Sequence, residues 1–377
     1  MKAGLLGRKL GHSLSPQIHR FFGDYEYRLY EREPDDVAEF VRGSDLDFLN
    51  VTIPYKQTVL PLCDELTPLA ERLGNVNLVT RLPDGRLRGD NTDYFGFARL
   101  LDSVCAAAGK EMPRRAAVLG AGGAATTAKT VLEDRGAEVA FVRRGELPAA
   151  DVGIVVNATP VGMFPDVDGR RIDVSAFPAC KVVLDLVYNP SPTRLVREAR
   201  QCGKAAADGM VMLVAQAYRA FQLAGGEVDG NLYLYGPPAS GKSTWAKRLS
   251  AATGLRTVDL DAEIVRAAGR PIADIFASDG EAAFRRMEKA ALVRVAGQCG
   301  QVVALGGGAL LDGESRQLAE STGRVVLLTC PEEELCRRAS YSAERPLLAG
   351  GAADRLRALL AARHDHYASF PSVVDFA

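Results

Sequence analysis

The 377-residue chain has one tryptophan, four histidines and seven cysteines, and each scarcity excludes something. An odd cysteine count without a C-x-x-C pair leaves no disulfide framework, and no cysteine stands at metal-ligand spacing from a histidine. Free thiols in a reducing compartment are the expected state, which points to the cytoplasm. No uncharged apolar run approaches the roughly 18 residues that a bilayer span needs. Arg8 and Lys9 interrupt the first apolar stretch before a signal-peptide core can form. Net charge is −1, so no field of one sign invites nucleic acid or a membrane surface. Lysine is also scarce, 10 against 36 arginines, with three after residue 230. A lysine inside a motif therefore carries more weight here than in an average chain. The remainder, 47% hydrophobic and 25% charged, is the balance of a folded globular protein. The length suggests about two to three domains.

Three short apolar segments, 115–119, 232–235 and 302–305, each run into a glycine-rich turn and then a helical pattern. Strands alternating with helices predict a parallel α/β architecture throughout. The segment GGEVDGN (225–231) has no hydrophobic period and follows a helical stretch at 210–223. It is the main expected boundary.

In the second half, GPPASGKS (236–243) satisfies G-x-x-x-x-G-K-[ST] at every fixed position. It lies between a strand and a helix, the context that a phosphate loop requires. Backbone N–H groups of Gly236, Ser240, Gly241 and Thr244 would face phosphate oxygens at a helix N-terminus. Lys242 would reach the β- and γ-phosphates, and the Ser243 hydroxyl would ligate Mg²⁺. Sixteen residues on, Asp259 and Asp261 stand two apart in VDLD (258–261). On a strand this spacing places both carboxylates on one face, one to hold the metal and one to accept a proton. GEAAFRRME (280–288), GGGA (306–309) and the arginines at 337, 338, 345 and 363 follow. Guanidinium forks suit anions.

Together these segments resemble shikimate kinase over residues 232–377. The resemblance implies Asp261 on the shikimate hydroxyls, Arg285 and Arg363 on its carboxylate, and Gly307 and Gly308 lining the same site. It also implies Asp259 at the metal, Arg345 in a lid over ATP, and Arg338 beside the adenine. The family continues past its last strand into a loop and helix, whereas this sequence ends at PSVVDFA (371–377), so a more open adenine site is expected.

In the first half, GAGGAA (120–125) fits G-x-G-x-x-A after a strand and before a helix. Gly120, Ala121, Gly122, Gly123 and Ala124 would cradle a dinucleotide pyrophosphate. The following strand ends in Arg143-Arg144, which suits a ribose 2′-phosphate and favours NADP over NAD. Upstream, GHSLSPQIH (11–19), NVTIPYK (50–56), GNVN (74–77) and GDNTD (89–93) place hydroxyls, amides, Lys56 and Asp93 at apparent strand ends. Such groups could converge on a small polyhydroxy acid, with lysine and aspartate moving a proton at a carbonyl.

These clusters, with NATPVGM (157–163), DLVYNP (185–190) and GMVMLVAQA (209–217), resemble shikimate dehydrogenase over residues 1–229. The resemblance implies a catalytic pair of Lys56 and Asp93, and a carboxylate held by Ser13 and Ser15. Ring hydroxyls would meet Thr52, Asn77, Asn91 and Gln216, with Tyr188 near the substrate. Asn157, Thr159, Gly162 and Met163 would lie beside the nicotinamide. The interval between the second cofactor strand and Asn157 is half of what the family uses, so a trimmed cofactor domain is expected. His19 reads as structural, and His364 and His366 as solvated.

The expected fold is α/β in three domains. An N-terminal α/β substrate domain (1–97, with 205–224 returning to it) precedes a Rossmann-type NADP domain (98–204). A P-loop, nucleoside-monophosphate-kinase-like parallel α/β domain (231–377) follows. The expected function is bifunctional: NADPH reduces 3-dehydroshikimate, and ATP with Mg²⁺ phosphorylates the resulting shikimate. Partners are small molecules, without nucleic acid or membrane, in a monomer or homodimer. Two alternatives stay open: an active dehydrogenase beside an inactive shortened kinase, and a ligand-sensing regulatory protein.

Overall fold

The computed structural model describes residues 1–109, 112–142, 151–168, 172–340 and 352–374. The chain divides into two compact units, one with Met1–His19 and Asp24–Gly226, the other with Arg20–Gly23 and the residues from Glu227 on.

The first unit contains two sheets. Strands β1 (Lys2–Gly7), β2 (Glu26–Glu31), β3 (Phe48–Val51), β4 (Glu65–Leu66), β5 (Leu78–Arg81) and β6 (Leu87–Asp90) form one, in the order β2-β1-β3-β5-β6-β4. β1 pairs parallel with β2 and β3, but β5 runs antiparallel to both β3 and β6. This departs from parallel pairing throughout, and the cause is local. The segment Leu82-Pro83-Asp84-Gly85-Arg86 closes a tight hairpin, with Gly85 at φ 87° and Leu82 N–H bonded to Arg86 O at 2.9 Å. Pro, Asp and Gly in that order supply the turn geometry. The consequence is functional. The carboxyl ends of β1, β3 and β6 and the amino end of β5 share one sheet edge, since Leu6 pairs with Val51, and Leu78 with both Asn50 and Asp90.

One face of this sheet buries Leu6, Val51, Tyr55 and Val79. The other buries Ala3, Phe48 and Leu78 against Ala220 of the helix Met210–Leu223. That helix is buried nearly all round, as a helix inside a core must be apolar on every side.

Strands β7 (Arg115–Leu119), β8 (Glu138–Val142), β9 (Ile154–Asn157), β10 (Val182–Asp185) and β11 (Ala205–Ala207) build a second sheet, wholly parallel, ordered β11-β10-β9-β7-β8. β9 and β10 are buried at every residue, the mark of strands covered on both faces. Strand order reverses at β7, which opens a crevice beyond the carboxyl ends of β7 and β9.

In the second unit, β12 (Asn231–Tyr235), β13 (Arg256–Asp259), β14 (Gln301–Ala304), β15 (Gly323–Thr329) and β16 (Ser372–Val374) form a parallel sheet ordered β13-β14-β12-β15-β16. The phosphate-loop strand β12 is central, and Tyr233, Tyr235, Val303, Phe284 and Leu292 share its core. The helix Ile272–Ala296 breaks at Gly280 (φ 78°, ψ 173°). A glycine accepts that conformation without steric cost, so the chain can redirect the turn that carries Arg285 and Glu288.

No helix among the described residues is long and apolar enough to cross a membrane. The seven cysteines are free.

Candidate functional site

At the shared edge of the first sheet, Lys56 Nζ donates to Asp93 Oδ2 at 2.5 Å. Their side chains are 18% and 4% exposed, so this is a largely desolvated ion pair with the lysine on the open side. Asp93 opens the helix Asp93–Ala108, where the helix dipole favours a carboxylate. A buried amide layer lies beside the pair. Asn77 Oδ1 accepts Thr92 N–H at 2.6 Å, while its Nδ2 donates to Thr92 Oγ1 at 3.1 Å and Gln216 Oε1 at 3.4 Å. Asn91 Nδ2 donates to Asn75 Oδ1 at 2.7 Å and its Oδ1 accepts Tyr94 N–H at 3.2 Å. Ser13 Oγ donates to Ser15 Oγ at 3.3 Å at the start of a short helix, and Thr52 follows β3 with its N–H on Leu6 O at 2.9 Å. Behind the serines His19 is buried, stacked on Tyr27 at 3.9 Å, and burial lowers its pKa to about 3. It is structural, as expected.

In the crevice of the second sheet the chain turns from β7 into the helix Gly123–Asp134, with Gly122 as N-cap. Gly120 has φ 114°, and a Cβ there would lie 2.8 Å from Ala158 O. Only glycine fits, which brings the turn close against β9. Ala121, Gly123 and Ala124 complete the turn into that helix. Asn157, fully buried at the end of β9, organises the next loop. Its Oδ1 accepts Thr159 N–H at 3.1 Å and Thr159 Oγ1 at 2.5 Å, and its Nδ2 donates to Val161 O at 3.2 Å and Asp185 Oδ1 at 2.8 Å. Gly162 (φ 84°) ends that loop, and Met163 and Phe164 stand nearly half exposed beyond it. Burial raises the Tyr188 phenol, which stays protonated.

Asp185 is 1% exposed and burial pushes its carboxyl up to about 6, against hydrogen bonds from Thr193, Val187 N–H and Asn157 that lower it. A carboxyl raised in the folded state contributes stability below its unfolded value of 3.8, and that contribution is lost as pH rises through about 6. Asp185→Asn keeps an acceptor for Asn157 and does not titrate. The stability difference between wild type and Asp185→Asn should therefore shift by about 2–3 kcal/mol in favour of the variant between pH 4 and pH 7. Urea midpoints across that range check it, and a constant difference would refute it.

In the second unit, Lys242 Nζ donates to the loop carbonyls Gly236 O at 2.8 Å and Pro237 O at 2.7 Å. The loop residues Ser240 and Gly241 lead into the helix Lys242–Thr253, with Gly241 at φ 87°. Ser243 Oγ donates to Asp259 Oδ2 at 2.7 Å, and Thr244 lies in the first turn of the same helix. Asp259 and Asp261 do not share a strand face, contrary to their spacing. β13 stops at Asp259, whose Oδ1 accepts Asp261 N–H at 3.1 Å and Ala262 N–H at 3.4 Å as N-cap of the helix Leu260–Ala268. Aspartate at that point caps a helix more readily than it extends a strand. The two carboxylates are parted by this bend, Asp259 toward Ser243 and Asp261 toward the glycine run.

Around that run a second cluster forms. A Cβ on Gly308 would lie 2.7 Å from Arg285 Nη1, and one on Gly306 would collide with Glu288 Oε1 and come within 3.4 Å of Asp261 Oδ1. Arg285 Nη1 donates to Glu288 Oε2 at 2.6 Å. Arg363 Nη1 and Tyr367 Oη both donate to Gly307 O at 2.8 Å. Glu288 is 3% exposed, its Oε1 has no hydrogen-bond partner, and burial raises its carboxyl against the pull of Arg285. Two guanidinium groups and an open carboxylate oxygen around one glycine run suit a small acid bearing hydroxyls.

Residues 5–79 match the shikimate dehydrogenase substrate binding domain, and residues 238–375 match shikimate kinase. A shikimate dehydrogenase (NADP(+)) of Clostridium beijerinckii is 33% identical over 250 residues, 58% of this chain and 90% of that one. The chain belongs to the shikimate dehydrogenase family. Beyond the dehydrogenase part it carries a shikimate kinase domain. Among solved structures, shikimate dehydrogenase 1 from Peptoclostridium difficile aligns with a TM-score of 0.54 at 33% identity, covering 60% of this chain and 92% of its own. The shikimate 5-dehydrogenase from Thermus thermophilus, solved with NADP(H) and shikimate, aligns at 0.52 and 31% identity, covering 59% of this chain and 93% of its own.

Within the dehydrogenase part the structure brings Lys56 to Asp93, and Asn77 to Gln216. Within the kinase domain it gathers Asp261, Arg285, Gly307, Gly308 and Arg363. Arg338 is 22% exposed with its Nε on Glu334 at 2.6 Å. Arg143, Arg144 and Arg345 lie outside the described residues. Three further residues, Asn75, Asp185 and Glu288, contact these clusters. Asn75 and Asp185 support Asn91 and Asn157 from behind, and only the pairing of distant strands exposes that. Glu288 had a signal, three positions after Arg285 on a helical pattern, where side chains share a face. His366 is not merely solvated, because its Nε2 meets the buried Tyr235 hydroxyl at 3.1 Å; His364 is 79% exposed.

Proposed function

We propose that this chain reduces 3-dehydroshikimate to shikimate in its first unit and phosphorylates the shikimate 3-hydroxyl in its second. The observation that carries this reading is that each unit holds both a candidate proton-transfer group and a glycine turn at a helix start. Lys56 paired with Asp93 is that group in the first unit, and Asp261 is that group in the second, where Ser243 bonded to Asp259 would hold the metal side. When bound, NADPH supplies the hydride, and ATP with Mg²⁺ supplies the phosphoryl group. The glycine turn at Gly120 and the phosphate loop at Gly236 fit those cofactors, since both leave backbone N–H groups at a helix start.

In the first unit, Asp93 holds the Lys56 ammonium at the sheet edge, and Lys56 gives a proton to the emerging 3-oxygen. Asn77, Gln216 and Thr52 orient the ring hydroxyls, and Ser13 and Ser15 take the carboxylate. In the second unit, Asp261 accepts the hydroxyl proton. Arg285 and Arg363 bind the carboxylate, and Glu288 Oε1 accepts a hydroxyl. Lys242 leaves its loop carbonyls to meet phosphate, while Ser243 and Asp259 hold the metal side. The same acid is gripped by serine hydroxyls in one site and by guanidinium forks in the other.

Mass spectrometry of one mixture tests the reading: full chain, 3-dehydroshikimate, NADPH, ATP and Mg²⁺. The expected product is shikimate 3-phosphate. Arrest at shikimate would remove the kinase half of the reading, and untouched substrate would remove both halves.

A further inference from the structure

We infer that His366 is a positioning residue for the substrate site of the kinase domain: its Nε2 decides whether the Tyr235 hydroxyl donates to the imidazole or to the Gly307 carbonyl. The inference rests on the reading above that Gly307 and Arg363 belong to the shikimate site.

Tyr235 sits on β12 with no exposure. Its oxygen is 3.1 Å from His366 Nε2 and 3.3 Å from Gly307 O. The Gly307 carbonyl already accepts Arg363 Nη1 and Tyr367 Oη, each at 2.8 Å. A carbonyl oxygen has two lone pairs, and a phenol has one hydrogen to give. With the neutral imidazole accepting at Nε2, that hydrogen goes to His366, the nearer partner, and Gly307 keeps its two short bonds. A protonated imidazole donates from Nε2 into the phenol oxygen. The phenol hydrogen then has Gly307 O as its remaining acceptor. A third donor there competes with Arg363, the arginine that would hold the substrate carboxylate.

The surroundings set the resting state. Arg316 reaches in from the helix Gly313–Ser321, its guanidinium 4.2 Å from the Phe370 ring and its Nε on Glu320 at 2.8 Å. Phe370 and Tyr367 pack on the imidazole at 5.3 and 6.1 Å. Asp365, next along the chain, is fully exposed and pairs with His364. Burial, then Arg316 and Arg363, hold His366 below its ordinary 6.5. At neutral pH the imidazole is uncharged and Arg363 has Gly307 without competition. Glu288 and Arg285 act on Tyr235 from the other side, and Glu288 titrates in the same site, so the variants must separate the two groups.

The experiment is the shikimate KM of the full chain from pH 5 to 8 at saturating ATP. In the wild type it should rise about three- to tenfold on acidification below pH 6.5, the size of one net hydrogen bond, while the ATP KM holds steady. His366→Gln retains an acceptor that does not titrate, and Tyr235→Phe removes the shared hydrogen. Both should flatten the profile with Glu288 still in place. A wild-type profile that is already flat, or variants that keep the rise, would overturn the inference. Arg363→Lys tests the underlying site separately: a raised shikimate KM at every pH upholds it, and an unchanged one removes both the site and the role of His366.

Discussion

Lys56→Ala abolishes reduction of 3-dehydroshikimate, lowering kcat by about 10³-fold, and leaves phosphorylation of added shikimate at the wild-type rate. The size follows from removing a positioned general acid, worth about 10²–10⁴. The selectivity follows from the structure. Lys56 and Asp93 belong to the first unit, and the phosphate loop to the second. The lysine side chain is partly open to solvent and fills no core position, so its truncation leaves no large cavity. Asp93 would be left buried without its partner, however, and an unpaired buried charge is costly. Lys56→Met, which keeps the aliphatic stem, and a thermal melt of each variant distinguish chemistry from unfolding. The checks are NADPH absorbance for the first reaction and a coupled ADP assay for the second. Loss of both activities in a folded variant would sink the two-site arrangement.

Asp261→Asn does the reverse. Phosphoryl transfer to shikimate falls by about 10³-fold, and reduction of 3-dehydroshikimate is unchanged. Asparagine keeps the size of the position and one acceptor oxygen but cannot accept the hydroxyl proton. The helix start at Asp259 survives, since the cap belongs to Asp259 and Asp261 contributes only its backbone N–H. The kcat should therefore carry the loss, with the shikimate KM moving by much less. Retention of full kinase activity would take Asp261 out of the catalytic step and point to Glu288, the neighbouring buried carboxylate with an open oxygen.

The two sites differ in how early their residues can be identified. Lys56 and Asp93 stand 37 positions apart, and spacing alone cannot pair them. Their resemblance-based pairing becomes physical only when β5 leaves the edge at Asn77 and antiparallel β6 returns the chain to it, so that Asp93 follows β6 where Lys56 follows β3. Asp259 and Asp261 show the opposite case. They stand two positions apart, and period-two spacing would put them on one strand face, but side-chain capping wins over strand extension at that point. Glu288 is visible at helical spacing from Arg285, yet nothing in one dimension says that Gly306 and Gly308 make room for both.

The local signals are readable in the chain itself. Glycine turns after apolar strands, the phosphate loop with its lysine and serine, the break at GGEVDGN and the absence of a long apolar run all act within a few residues, through backbone freedom, helix dipoles and solvation. Those forces are written into residue type and order. Tertiary structure decided what depends on loop closure and burial: the sheet edge that collects Lys56, Asp93, Asn77 and Gln216, the buried Asp185 behind Asn157, and the ring of donors on Gly307. Such contacts join residues tens to more than a hundred positions apart. Their energies come from desolvation and hydrogen-bond geometry, which exist only once the chain has folded.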